Sequence, residues 1–398
     1  MWYKIKRILV WTNQVRPYKP KTFTISWTEQ SNMSSGWIYS DDAAWLTAGS
    51  TAFDDFFWYS AVLLNTSGVE TAEMKQSWWV FTGAMSTLGN ITSGDNVMIK
   101  FPVRWIKMSK SWSVITLSIT EELGKSGYQY YAFQNTWDIE SNTESTATRP
   151  LYLWTYLSYK SSNVLKSWSG QSPQWNNIMA NELSYASANG TGRTIMWWYQ
   201  RCLIDAYYMM KYWNPDCQSV VGRWYVDQNN TSVHSTWWTD NQTSATYGTS
   251  SNTVQCKLFW LEDRWGNQEQ RIWWAFTDSS RNLYVALHNF TANRSTSESQ
   301  YKNAWAITPS NSSYCLTGVL GTNKWMFWPK SSSSYNNYNY YYCDYVYVYQ
   351  NCFGRVGWYW SWNANWNANW LFNTQFSKFD SSDSKDKSTT CGSRLMYL

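Results

Sequence analysis

Apolar and polar residues alternate in short stretches along the first third of the chain. Val97, Ile99 and Phe101 fall on one face of an extended segment, and Ile115, Leu117 and Ile119 do the same within Val114-Ile119. This is the two-residue period of a strand that buries one face, so both segments predict strands of a half-exposed sheet. Lys107-Met108-Ser109-Lys110-Ser111-Trp112 between them reads as a hairpin. In one place the period changes to three and four. Met196, Tyr199, Leu203, Ala206, Tyr207 and Met210 form a broad apolar stripe, which predicts a helix from about Thr194 to Tyr212. Asn214-Pro215 stops it, because a proline pushes the residue before it out of the helical region. A weaker pattern predicts a second helix over Ser172 to Ala188, ahead of the linker Asn189-Gly190-Thr191-Gly192. After about residue 220 only short strands and long loops are expected, so the fold class is α+β with few helices, short strands and long loops. The first 25 residues, with Pro17 and Pro20 among Arg16, Lys19 and Lys21, predict an extended arm. No long period recurs, which argues against a solenoid or propeller.

Composition turns this from a generic α+β protein into one with an uncharged surface. Charged residues make up 15% of the chain, against roughly 25% in a typical soluble domain. Ser, Thr, Asn and Gln fill the deficit, and together with aromatic rings they bind by contact area and adaptable hydrogen bonds. The net charge of +5 is small for 398 residues, and the Lys and Arg residues are scattered, so nucleic acid is not an expected partner. The basic start, Met1-Trp2-Tyr3-Lys4-Ile5-Lys6-Arg7, is followed by no apolar stretch of signal-peptide length. The most apolar helix candidate carries Arg201, Asp205 and Lys211, so no membrane insertion is expected. Seven cysteines show neither CxxC spacing nor a zinc pattern, and the chain has two histidines. The reading is free thiols and no metal.

Tryptophan changes the picture again. The chain holds 32 Trp and 19 Gly, although glycine ordinarily supplies about 7% of residues and loops need it for left-handed turns. Trp stands where turn chemistry asks for Gly: Trp224 in Gly222-Arg223-Trp224-Tyr225, Trp213 before Asn214-Pro215, and Trp362, Trp366 and Trp370 in a run with Asn363, Asn365, Asn367 and Asn369. Two readings are open. Either UGA codons that the source reads as glycine are written here as Trp, or the chain is a truly Trp-rich adhesive protein. Trp265 in Asp263-Arg264-Trp265-Gly266-Asn267 suits its context under both.

The most unusual segment runs from Ser331 to Tyr349. From Tyr335 onward it is built of Tyr, Asn, Cys, Asp and Val, a repertoire that arises when adenines of AAC-type codons are replaced. That pattern suggests targeted diversification; the alternative is a low-complexity loop or edge strand. Alternation in Tyr345-Val346-Tyr347-Val348-Tyr349 argues for a strand with three tyrosines on one face and two valines on the other.

Four ordered stretches carry a family resemblance. They are Met209-Met210-Lys211-Tyr212-Trp213-Asn214-Pro215-Asp216-Cys217-Gln218-Ser219-Val220-Val221-Gly222-Arg223-Trp224-Tyr225, Leu261-Glu262-Asp263-Arg264-Trp265-Gly266-Asn267, Cys352-Phe353-Gly354-Arg355-Val356-Gly357-Trp358 and Cys391-Gly392-Ser393-Arg394-Leu395. From about residue 90 onward the chain resembles phage tail and variable proteins with a C-type-lectin-like, formylglycine-enzyme-type fold. These include the variable proteins of diversity-generating retroelements. In proteins of this kind several of the Trp positions are Gly. The resemblance implies an N-terminal arm over 1–25, a β-rich attachment region over 26–150 and a ligand-binding C-type-lectin-like domain over 151–398, with a variable region at about 331–390. The terminal Gly392-Ser393-Arg394-Leu395 strand would close the domain as scaffold. The implied ligand-facing residues are Tyr345, Tyr347, Tyr349, Tyr359, Asn363, Asn365, Asn367, Asn373, Gln375, Ser377 and Lys378; Gln375 and Lys378 depart from the AAC-derived repertoire.

By that similarity the chain would be a tail-tip or fibre receptor-binding protein. It would recognise a host cell-surface protein or glycan as a homotrimer among other phage tail proteins, in a virion assembled in the host cytoplasm, with no cofactor and no catalysis. A cellular diversified surface-binding protein is the second reading. A formylglycine-generating-type oxidase using Cys343 and Cys352 is the third, although a cysteine pair inside a variable segment suits fixed chemistry poorly. Arg355 and Arg394 read as ligand contacts or, more simply, as structural donors. Glu262 and Asp263 suggest calcium only if further oxygen ligands join them. His234 and His288 read as surface or loop residues, and no nucleophile-elbow, phosphate-loop, dinucleotide or HExxH motif is present.

Overall fold

In a computed structural model of the protein the described residues are 19–30, 36–74, 76–77, 80–81, 83–134, 149–223, 225, 233–251, 253–286, 301–307, 314–333, 342, 345–348, 350–356, 374–376 and 391–398. They form a strand-rich α+β structure with four α-helices: α1 (Ala52–Phe57), α2 (Met179–Ser187), α3 (Trp198–Tyr212) and α4 (Cys217–Val220).

Thr22–Thr28 pairs along its whole length with Val114–Thr120, which in turn forms a hairpin with Trp105–Ser111. Ile38–Asp41 completes this four-stranded sheet. Phe23, Ile25 and Trp27 are buried together with Ile115, Leu117 and Ile119, as a two-residue period requires. On the polar positions Thr24 Oγ1 donates to Ser118 Oγ (2.8 Å), and the hydroxyls of Thr22 and Thr120 are 2.8 Å apart. The expected arm is therefore corrected at its end: residues from Thr22 onward are a central strand. Of the rest, 1–18 lie outside the described residues.

The second sheet has six strands, in the order Arg193–Ile195, Leu395–Tyr397, Leu151–Trp154, Asn96–Phe101, Ser60–Leu64 and Glu70–Glu73. Asn96–Phe101 was expected to be half exposed, and this too is corrected. Val97, Met98, Ile99 and Phe101 are all fully buried, because both faces of the strand are covered. On one side Tyr207 of α3 stacks on Phe57 at 4.0 Å and tilts over Phe101 at 6.1 Å. Leu151–Trp154 pairs with Asn96–Phe101 on one edge and with Leu395–Tyr397 on the other. The expected boundary at residue 150 thus falls inside one sheet, whose hydrogen bonds join both sides of it.

Helix α3 begins at Trp198 rather than Thr194, because Arg193–Ile195 is taken up as a strand beside Leu395–Tyr397. It is also more than an apolar stripe. Residues 198–211 of the 15-residue helix are all buried, charged ones included. Burying charges is tolerable only when they are paired: Asp205 forms an ion pair with Arg201 (2.9 Å) and accepts a hydrogen bond from Arg264 (3.0 Å), and Lys211 reaches Asp54 at 2.6 Å. Helix α2 starts at Met179, later than Ser172, because the preceding segment is extended and Gln174 donates its backbone N–H to Ser158 O.

The third sheet is the largest, with nine strands. Its main path runs Tyr301–Ile307, Asn282–Ala286, Glu269–Thr277, Phe353–Val356, Thr374–Phe376, Tyr345–Val348, Tyr314–Val319 and Pro329–Ser333; Cys391–Gly392 joins Glu269–Thr277 in parallel.

The second and third sheets meet at Arg394, which is fully buried in the link between the last two strands. Its guanidinium donates to the backbone carbonyls of Trp154, Thr155, Glu262 and Asp263, and its Nε to Gln270 Oε1 at 3.1 Å. Only a guanidinium offers enough donors in a fixed fork to satisfy so many acceptors at once. Thr155 O and Asp263 O each have a second donor, the Glu262 N–H (2.9 Å) and Gln270 Nε2 (2.8 Å), but Arg394→Ala strips the guanidinium from all four carbonyls and from Gln270 Oε1 and is expected to cost about 3–5 kcal/mol, read as a fall in the urea midpoint. Arg394→Lys, which keeps the charge but not the fork, should recover only part of the loss.

Candidate functional site

The segment singled out by its Tyr and Asn content enters the third sheet as Tyr345–Val348. This strand pairs antiparallel with Tyr314–Val319 (Cys315 opposite Tyr345) and parallel with Thr374–Phe376 (Tyr347 opposite Gln375). Thr374–Phe376 also pairs with Phe353–Val356, placing Gln375 opposite Arg355, and Arg355 lies opposite Arg271. Tyr347, Gln375, Arg355 and Arg271 thus occupy one cross-strand row. Two of the predicted site residues, Tyr347 and Gln375, are register partners, and Tyr345 lies in the same strand as Tyr347. For these three only the strand positions are described. Tyr349, Tyr359, Asn363, Asn365, Asn367, Asn373, Ser377 and Lys378 lie outside the described residues, as do Cys343, His288 and Trp224.

Side chains with fixed partners hold this row. Val346 and Val348 are buried, so the apolar half of the alternating run belongs to the core. Arg355 pairs with Glu269 at 3.0 Å, and Arg271 with Glu182, all four residues being buried. Arg355 and Arg394 are therefore structural donors. The turn before Phe353–Val356 is clamped twice: Thr277 N donates to Cys352 O (2.8 Å), and Cys352 N donates to Thr277 Oγ1 (3.1 Å). Cys352 is buried, and its thiol donates to Gln350 O at 3.1 Å.

Tyr342, within the Tyr-rich segment, is fully buried. Its hydroxyl donates to Glu29 Oε1 at 2.7 Å and accepts from Trp27 Nε1 at 3.4 Å. Glu29 also accepts the Val319 N–H (2.8 Å) and pairs with Lys110. Burial, then the Glu29 charge, push the Tyr342 phenol well above its ordinary range, so it stays a neutral donor. Sequence reading missed this anchor, since one tyrosine among many carries no mark of its own.

The acidic pair Glu262 and Asp263 is occupied by protein donors. Glu262 accepts the N–H groups of Trp237 (3.1 Å) and Thr239 (3.0 Å) and the Thr239 hydroxyl (2.6 Å). Asp263 Oδ2 accepts from Asn267 (2.7 Å) and Gln255. Among the described residues no group of three His, Cys, Asp or Glu side chains is placed to hold a metal ion. His234 is half-buried rather than exposed, stacked on Tyr225 at 3.7 Å, and burial lowers its pKa. A polar cleft of about 490 Å³ opens beside Asp216, Ser219, Gly222, Arg223, Thr249 and Ser250. Its arginine donates Nε to Gln218 (3.3 Å) and its backbone N–H to Thr249 O (2.9 Å). Asp216, Ser219, Gly222 and Arg223 belong to the 209–225 stretch that carries the family resemblance, but none of the lining residues was an expected ligand contact.

No known protein family matches this chain, and no curated protein matches it either.

Burial, followed by the mutual charge of Asp263 and Asp240, raises the Glu262 carboxyl above the ordinary range; burial raises Asp263 likewise. A carboxyl whose folded-state pKa is raised contributes stability that is present below its unfolded pKa and lost as pH rises through the folded value. Lys257, lowered by burial to about 7, works the other way, its contribution being lost as pH falls through that value. The clean readout is therefore a difference. Relative to Glu262→Gln, the parent chain should lose stability between pH 5 and pH 8 in urea titrations. A constant difference across that range would contradict the burial account of this carboxyl.

Proposed function

We propose that this chain is a receptor-binding protein of the phage-tail type. Its C-terminal part would be a C-type-lectin-like module that presents a diversified Tyr/Asn/Ser-rich face to a protein or glycan on a host cell. The observation that carries the reading is a contrast within one segment. Tyr342, Val346 and Val348 are fixed in the core, whereas the residues around them are drawn from the narrow repertoire of Tyr, Asn, Asp, Cys and Val. A scaffold that fixes a few positions and leaves its neighbours to vary is what a binding surface under diversification needs. The buried pairs Arg355–Glu269 and Arg271–Glu182 supply the rigidity beneath. Tyrosine gives rigid amphipathic contact area with little side-chain entropy to lose, and Asn and Ser adapt their hydrogen bonds to the partner. Weak single contacts would be multiplied by the several copies on a tail, through avidity. The proposed role calls for no cofactor, metal or catalytic group.

Binding of the labelled chain to intact bacterial cells and to a glycan array tests this reading. Tyr345→Ser with Tyr347→Ser should weaken binding about tenfold or more, the usual loss at aromatic hot spots, with the circular dichroism spectrum unchanged. Binding unaffected by the double change, or absent from every cell and glycan surface for the parent chain, would contradict it.

A further inference from the structure

Thirteen non-glycine residues among those described have positive φ. Asp41, Asn176, Asp263, Asn267 and Asn351 are of types whose short polar side chains tolerate that region. Five others are tryptophans: Trp58 (φ 55°), Trp112 (φ 56°), Trp213 (φ 43°), Trp237 (φ 139°) and Trp260 (φ 66°). A bulky aromatic residue has no reason to collect there.

Four of the five occupy slots that have a known preference for glycine. Trp58 and Trp213 are the left-handed residues that end α1 and α3, each donating its N–H back into the helix, to Asp54 O and Met209 O. That is where a C-terminal glycine normally sits. Trp112 is the first of two residues between Ser111 and Val114, which face each other across the hairpin. Ser113 has no positive φ, and in such a II′ turn the first loop residue is glycine. Trp112 projects into solvent, 96% exposed. Phe259 and Trp260 join Leu258 to Leu261 in another two-residue hairpin, both with positive φ, the I′ form whose second residue is nearly always glycine. The Trp260 ring is fully buried there with its Nε1–H lacking a hydrogen-bond partner. Trp237, at φ 139°, has a backbone conformation that side chains rarely adopt, and its N–H serves Glu262.

We infer that the gene carries UGA at Trp58, Trp112, Trp213, Trp237 and Trp260 and that its source translates those codons as glycine. Trp27 and Trp265, neither of which has positive φ, are genuine tryptophans. The inference rests on the backbone and stands whether or not the chain is an adhesin.

Two measurements decide it. The nucleotide sequence should read UGA at four or more of the five positions and UGG at Trp27 and Trp265; UGG at two or more of the five overturns the inference. Because some codes read UGA as tryptophan, the second measurement compares the chain as written with one carrying W58G, W112G, W213G, W237G and W260G together. A higher thermal midpoint for the glycine chain is expected, since five strained residues are relieved. An unchanged or lower midpoint, as removal of the buried Trp260 ring would give in a chain that natively has it, overturns the inference.

Discussion

The guanidinium of Arg394 is the point through which the two larger sheets are joined. It comes from the chain's last few residues and satisfies backbone carbonyls contributed from two distant stretches, 154–155 and 262–263, and the amide oxygen of Gln270. Carbonyls that converge in a buried space need donors, and this one side chain reaches all four of them. The same fork fixes the backbone at Glu262 and Asp263, whose side chains turn away to hold the 237–239 loop and the Gln255 and Asn267 amides. An acidic pair that resembles a cation site in the sequence is a structural clasp in the fold.

A second set of buried pairs extends this frame towards the segment of interest. Glu182 with Arg271 and Glu269 with Arg355 brace the strands next to Thr374–Phe376, while Glu29 reaches from the first sheet to Tyr342 and Val319. Ion pairs of this kind contribute little net stability against apolar replacements, yet removing one partner is costly. Each pair ties its strand to one partner, Arg355 to Glu269 and Arg271 to Glu182. Under the proposed function that is what lets neighbouring residues change without moving the scaffold.

Strand periodicity was the most legible feature of the sequence. The hairpin around Trp112 and the strand Asn96–Phe101 both lie where alternation places them. Phe23, Ile25 and Trp27 alternate as clearly, yet Pro17 and Pro20 just ahead of them pointed to an arm. Helix α3 was legible in its end but not in its start or its burial. Periodicity reveals an apolar face, whereas Asp205 and Lys211 are buried with partners distant in sequence, Arg264 and Asp54. The sheet that crosses residue 150 was illegible for the same reason, since it depends on pairing with the far C-terminus. Of the candidate site, the structural roles of Arg355 and Arg394 were one of two open readings, decided by their buried partners Glu269 and the 154–155 and 262–263 carbonyls. The Tyr342 anchor could not, because only its pairing with Glu29 separates it from the tyrosines nearby.

The central claim is that fixed and variable positions share one segment. It is tested most directly by randomising Tyr345, Tyr347 and Gln375 to Ser, Asn, Asp and Tyr in a library, with Tyr342, Val346 and Val348 randomised in a second, and measuring protease resistance of every member. The account predicts that most members of the first library stay as resistant as the parent while most of the second are digested. Equal sensitivity in the two libraries would contradict it.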